Sequence, residues 1–240
     1  HTRSITLCVA CGLGLCRIFP NFSQLAKFTS VMSIQGALDG ACHEHVQAID
    51  ADFLCFSAHK MLGPTGIGVL YGKYDLLNAM SPYMFGGDMI LEVTYEDAKW
   101  NDLPYKFEAG TPNIAGAAGL HAALDYLDDL DLNNIHTHDA ELANYAREQL
   151  SEFDDIRIFG PTEDHGGLVS FVLKDVHALD LATMADQQGV AIRVGHHCTQ
   201  PLHDKLGVPA TARASFYLYN TRTEVDRFIE VLHKVIKLLS

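Results

Sequence analysis

The chain has 240 residues, 48% of them apolar, which is enough for one large domain or two small ones around a sizeable core. Its 17 basic and 30 acidic residues leave a net charge of -13, which argues against a nucleic-acid surface. No stretch reaches the ~18 apolar residues of a membrane span, and six cysteines over this length are too sparse for a secreted disulfide scaffold, so a reducing, cytoplasmic setting is expected.

The apolar run from Leu7 to Cys16 reads either as a signal segment or as a strand and turn of an interrupted domain. Because His1 stands where a Met would, the native start is expected upstream. Residues 52–57 form a short apolar run of strand length. Gly63-Pro64-Thr65-Gly66 is turn chemistry, and residues 67–71 are a second strand. Residues 84–111 read as loop. Helices are predicted over 114–130, after Pro112-Asn113, and over 133–153, where Ile135, Leu142, Tyr145, Ala146 and Leu150 recur at helical spacing. Strands follow at 156–159 and 168–173, then a helix over 179–188 closed by Gly189. Strands are predicted at 190–194 and 212–219. The last helix, 223–239, places Val225, Phe228, Ile229, Leu232, Val235, Ile236 and Leu239 on one side. Strands alternating with helices give an α/β or α+β class. A domain boundary is expected where the long helices bridge two strand groups, near 125–155.

Several residues carry chemistry. Lys60 leaves a buried strand, where lysine is rare, and a partly desolvated amine is a nucleophile toward carbonyls. Ser57 and His59 beside it are candidate phosphate donors. The alternative is a lysine whose stem packs while its amine reaches solvent. Asp39, before Gly40, can pair with a pyridinium nitrogen or simply belong to a turn. Cys198 follows Arg193, His196 and His197, and positive neighbours favour a thiolate. The alternatives are an inert packed cysteine or a zinc ligand, and adjacent residues are poorly spaced for zinc. Arg213, among small residues, needs an anion: a bound carboxylate or an internal salt bridge. Thr111 is a helix cap by default, or a phosphate contact at a helix end. Gly63, Gly66 and Gly68 resemble part of a dinucleotide loop, but a strand follows them rather than a helix. Cys8, Cys11 and Cys16 have no clear second ligand pair, so no metal is expected there.

Three runs together resemble the SufS-type cysteine desulfurases of the aminotransferase class V family. They are Asp50 to Tyr71 (DADFLCFSAHKMLGPTGIGVLY), Phe107 to Asn113 (FEAGTPN) and Arg193 to Cys198 (RVGHHC). The resemblance runs from about residue 46 to the end, and residues 1–45 match loosely. It implies a type I pyridoxal-phosphate transferase fold. Residues 1–130 would be a partial cofactor-binding large domain, incomplete at its N-terminus. Residues 131–240 would be a small α+β domain carrying the cysteine loop. It implies pyridoxal 5'-phosphate held by Lys60, with Asp39 on the pyridinium, Ser57 and His59 on the cofactor, and Thr111 reaching the phosphate in a neighbouring subunit of a homodimer. Arg213, with Arg193 beside it, would take the substrate carboxylate. Cys198 would take sulfur from L-cysteine as a persulfide, for a SufE- or SufU-type acceptor in iron-sulfur cluster assembly. An inactive fragment of that family, a selenocysteine lyase, or a metal-binding protein using its 13 His and six Cys are the competing readings.

Overall fold

The structure is a computed structural model describing residues 4–9, 31–34, 50–163 and 165–239, with only the backbone path given for 4–9, 31–34 and 239. Asp39, Cys11, Cys16 and Cys42 lie outside the described residues. The chain divides into two compact units, His1–Asp131 and Leu132–Ser240.

In the first unit, β1 (Ser4–Val9), β2 (Val31–Ile34), β3 (Phe53–Ser57) and β4 (Gly68–Lys73) form a sheet in the order β1-β4-β3-β2. β2 runs parallel to β3, while β4 is antiparallel to both β3 and β1. Phe53, Cys55 and Leu70 pack with Leu77 and Phe107 on one side. Ala58, Ile67 and Val69 pack with Leu120 and the partly buried Phe56 in a separate cluster. A strand covered on both faces has no polar side to show, which is why β3 reads as an unbroken apolar run.

Three short or exposed elements of this unit depart from the sequence expectation. Tyr74–Ala79 is a helix, α1, too short for a periodic signal and burying only Leu77. The predicted loop 84–111 holds a hairpin, β5 (Ile90–Val93) and β6 (Ala98–Trp100), and a 3-10 turn at Tyr105–Phe107. The hairpin turn is closed by the Thr94 amide donating to Asp97 O at 2.8 Å, and by the Asp97 amide donating to Thr94 Oγ1 at 3.0 Å. Leu91, Val93 and Tyr95 are all exposed, so no burial alternation marks these strands. The helix α2 (Ile114–Leu130) closes the unit.

The second unit opens with α3 (Leu132–Ser151). Its sheet has the order β7-β8-β10-β9, from β7 (Ile156–Phe159), β8 (Leu168–Leu173), β9 (Arg193–Gly195) and β10 (Thr211–Ser215), all antiparallel. α4 (Ala178–Asp186), α5 (Gln200–Leu206) and α6 (Arg222–Leu239) complete it. One core joins α3 (Leu142, Ala143, Ala146, Leu150), the strands (Val169, Phe171, Ala212) and α6. The apolar stripe of α6 is seated there: Val225, Phe228, Ile229, Leu232 and Val235 are buried and Ile236 is partly so. The predicted strands 190–194 and 212–219 are shorter, because β9 pairs with β10 only through Gly195, Val194 and Arg193. Past Ser215 the chain turns, with Asn220 Oδ1 accepting from the Tyr217 amide at 2.9 Å.

Candidate functional site

Two groups of candidate residues stand out, one in each unit. In the first, β3 ends at Ser57 and turns at once into a 3-10 helix, Ala58–Lys60. Ala58 is fully buried, and its carbonyl accepts from the amides of Met61 and Gly63, each at 2.9 Å. A Cβ at Gly63 would lie 2.9 Å from Ala58 Cβ and 3.0 Å from Ala58 O, so the turn must have glycine there to fold back over Ala58. Anchoring Ala58 leaves Ser57 and Lys60 half-buried and His59 exposed.

The charge around this turn is one-sided. No Asp or Glu occurs between Asp52 and Asp75. Asp50 and Asp52 are both engaged by Lys73, at 2.9 Å each, and the hydrogen bonds its ammonium donates to the two carboxylates, Asp50 foremost, push it up to about 12. Lys60 makes no ion pair within the described residues. A hydroxyl, an imidazole and an unpaired amine on four consecutive residues form a donor set that suits a phosphate and an aldehyde. The residues present therefore fit pyridoxal phosphate.

Thr111 does not cap a helix, contrary to the default. Asn113 caps α2, its Oδ1 accepting from the Gly116 amide at 2.9 Å. Thr111 stands exposed two residues earlier, after Gly110, whose amide is tied to Gly87 O at 2.9 Å. Its hydroxyl is left for a ligand or for solvent.

In the second unit, Arg193 and Arg213 are register partners on β9 and β10. Arg213 Nε donates to Ser215 Oγ at 3.1 Å, and neither arginine has an acidic partner among the described residues. The internal salt bridge left open for Arg213 is thus absent there. Burial, and then Arg193, push the Arg213 guanidinium below its ordinary range. Two adjacent cations with no acidic partner among the described residues, in a chain of net charge -13, are suited to hold an anion.

Cys198 is exposed and lies against this pair, with Arg193 Nη2 at 3.8 Å from its Sγ. The other cysteine whose side chain is described, Cys55, is buried in the first unit's core. The turn that presents Cys198 is unusual. Gly195 has φ 116°, and His197 and Cys198 both sit in the left-handed region, at φ 50° and 67°. For residues with a Cβ each costs on the order of 1 kcal/mol or more, so the surroundings must hold the turn in place.

His197 does not supply the positive charge that its place next to Cys198 suggests. Its Nε2 donates to Thr211 O at 3.1 Å, and its Nδ1 is buried without a hydrogen-bond partner. Burial first, and then Arg213, hold its imidazole below the usual histidine value, so at neutral pH it is uncharged. Arg193 is the cation at the sulfur. A depressed folded-state pKa means that the unfolded chain binds the proton more readily, so this stabilisation is present above the ordinary value of 6.5 and is lost as pH falls through the folded value. The urea midpoint of the chain is expected to fall more steeply on acidification below pH 6.5 than that of His197→Gln, as followed by circular dichroism. Parallel curves for the two proteins would contradict it.

Among the described residues no three His, Cys, Asp or Glu side chains converge as a metal site. No described helix is long and apolar enough to cross a membrane.

Known proteins point the same way. The family model described as Aminotransferase class-V matches residues 11–228. The chain is 61% identical over 188 residues to a protein of Haloferax volcanii named cysteine desulfurase, covering 78% of this chain and 44% of that protein. It is 54% identical over 206 residues to a probable cysteine desulfurase of Staphylococcus epidermidis, covering 85% and 50%. The crystal structure of the cysteine desulfurase CsdA (S-sulfonic acid) from Escherichia coli superposes with a TM-score of 0.81 at 42% identity, over 90% of this chain and 54% of that one. The chain thus spans about half the length of the relatives it matches. With the alternation of strands and helices, these matches establish the α/β, type I pyridoxal-phosphate transferase fold.

Proposed function

The chain belongs to the aminotransferase class V family, and we propose that it is part of a pyridoxal-phosphate-dependent cysteine desulfurase, converting L-cysteine to L-alanine with the sulfur left on Cys198. The observation that carries this reading is the exposed Cys198 thiol, held in a left-handed turn 3.8 Å from Arg193 and beside the unpaired Arg213. High identity to proteins named cysteine desulfurase supports it.

Residues 1–130 supply the cofactor-binding part and 131–240 the small domain. Lys60 holds the cofactor through its amine and moves protons. Ser57 and His59 contact the cofactor, and Thr111 reaches the phosphate bound in a second copy. Asp39 would pair with the pyridinium nitrogen when the cofactor is bound. When bound, the cofactor supplies an electron sink for the substrate carbon. Arg213 takes the substrate carboxylate as a planar fork, with Arg193 alongside. The Cys198 thiolate attacks the substrate sulfur. An S–S bond forms as the C–S bond breaks, the bonding pair stays on carbon, and carbon takes a proton to give alanine.

A SufE- or SufU-type protein in the cytoplasm then accepts the persulfide sulfur for iron-sulfur cluster assembly. The working form is a homodimer. The exposed apolar residues Phe85, Leu91, Val93 and Tyr95, close together in sequence in and around the β5–β6 hairpin, support an interface on that segment.

The test is cofactor incorporation. The purified chain, incubated with pyridoxal phosphate, is expected to turn yellow, and borohydride reduction followed by peptide mapping should place the label on Lys60. A label on Lys73 or Lys106 instead would overturn the assignment. A chain that stays colourless would favour the second reading, an inactive fragment.

A further inference from the structure

The residues on both sides of Cys198 are fastened to one threonine. His197, before it, donates from Nε2 to the Thr211 carbonyl at 3.1 Å. Thr199, after it, is held through an imidazole: His203 Nδ1 lies 3.1 Å from Thr199 O, and His203 Nε2 lies 3.1 Å from Thr211 Oγ1. We infer that Thr211 and His203 are positioning residues, a clamp that holds the Cys198 turn against β10 and keeps its sulfur beside Arg193. The inference rests on Cys198 being the reacting thiol.

The donor pattern of the clamp is determined by its ends. A carbonyl only accepts, so His203 Nδ1 carries the proton toward Thr199 O. In the neutral imidazole Nε2 is then the acceptor, and the Thr211 hydroxyl donates to it. Thr211 is thus used twice, its hydroxyl on one imidazole and its carbonyl on the other. Both clamp residues are buried, Thr211 at 2% and His203 at 4% exposure, whereas Cys198 is exposed. A buried polar pair that is fully satisfied rigidifies what it joins. What it joins here is a turn with two consecutive left-handed residues, which needs such a constraint.

The clamp also couples the thiol to the anion site. Thr211 is the first residue of β10 and Arg213 the third, and β9 places Arg193 opposite Arg213. Through Thr211 the Cys198 turn is therefore referenced to the strand that carries Arg213. His203 comes from α5, whose short helix begins directly after Thr199 and ends at Gly207 in the left-handed region. The helix thereby delivers an imidazole back under its own first turn.

The test reads the thiol and needs neither cofactor nor turnover. Thr211→Val, Thr211→Ser and His203→Leu are made in the full 240-residue chain, and folding of each is checked by circular dichroism. Alkylation of Cys198 by limiting iodoacetamide is then followed by peptide mapping. Near neutral pH the rate is expected to fall about two- to fivefold in Thr211→Val and His203→Leu, the effect of moving one exposed cation away from the sulfur. Thr211→Ser, which keeps the hydroxyl, should stay at the parent rate. At a pH high enough to ionise any thiol the proteins should react alike, which separates loss of charge support from loss of access. Parent rates in folded Thr211→Val overturn the clamp, even where His203→Leu is slowed, since that pattern assigns the effect to packing around α5. Slowing of Thr211→Ser to the level of Thr211→Val overturns it too. Because the rate is read on the thiol itself, a chain without desulfurase activity counts against the proposed function and not against the clamp.

Discussion

Lys60→Ala is expected to lower alanine release from L-cysteine by at least about a thousandfold, since on the role proposed for Lys60 it would remove both the cofactor's covalent anchor and a proton carrier. Placement is the first reason. β3 is buried on both faces, and the turn after it is held by the Ala58 carbonyl and the close approach of Gly63. Lys60 is therefore presented from the turn that ends β3, half out of solvent and without an ion-pair partner among the described residues. Lys73 offers the contrast within the same sheet. Its ammonium is already committed to Asp50 and Asp52, at 2.9 Å each. Two measurements are informative: alanine release, and the visible absorbance of the cofactor-loaded protein. Lys60→Ala should lose both, while Lys174→Ala, exposed in the second unit, should keep both. A Lys60→Ala protein that releases alanine at the parent rate would refute the assignment.

What a sequence can show depends on whether a residue's role is local. Strand 53–57, the glycine turn and the long helices are legible because burial on both faces, turn chemistry and helical spacing each leave a mark within a short window. The β5–β6 hairpin leaves none, since its strands bury almost nothing. Helix α5 does carry signals, Pro201 at its start and Gly207 just past its end, but it is too short for periodicity. Thr111 reads as a cap because it precedes a helix, and Asn113, equally able to cap and closer, does it instead. The anion site is less local still. Arg193 and Arg213 become neighbours only through the register of β9 and β10, which no spacing rule predicts. The same holds for His203, which reads as an ordinary helix residue until α5 folds it between Thr199 and Thr211. His197 marks the reverse error. Its position beside Cys198 suggests a charge, but burial and the two arginines keep it neutral.

Cys198→Ala is expected to abolish persulfide formation while leaving cofactor binding at Lys60 unchanged. The thiolate, not the thiol, attacks a sulfur atom, so the reacting cysteine must be reachable and must have a cation at hand. Cys198 has both, being exposed with the Arg193 guanidinium 3.8 Å from its sulfur. Cys55 is not reachable in this way: it is buried in the cluster of Phe53, Leu70, Leu77 and Phe107. The two cysteines should therefore separate cleanly in one experiment. The cofactor-loaded chain is given L-cysteine, the persulfide is trapped with an alkylating reagent, and the labelled peptide is identified. The label is expected on the peptide containing Cys198, and Cys198→Ala should carry none. Cys55→Ala, which removes only one sulfur atom from the core, should retain both the label and the rate. Borohydride fixation on Lys60 should proceed equally in the parent and in Cys198→Ala, because Lys60 and Cys198 belong to separate units. Trapped sulfur on Cys55 or Cys42 would overturn the role given to Cys198, as would undiminished alanine release from Cys198→Ala. Fixation on Lys60 without alanine release in the parent would instead locate the deficit after cofactor binding, at the thiol turn and the two arginines.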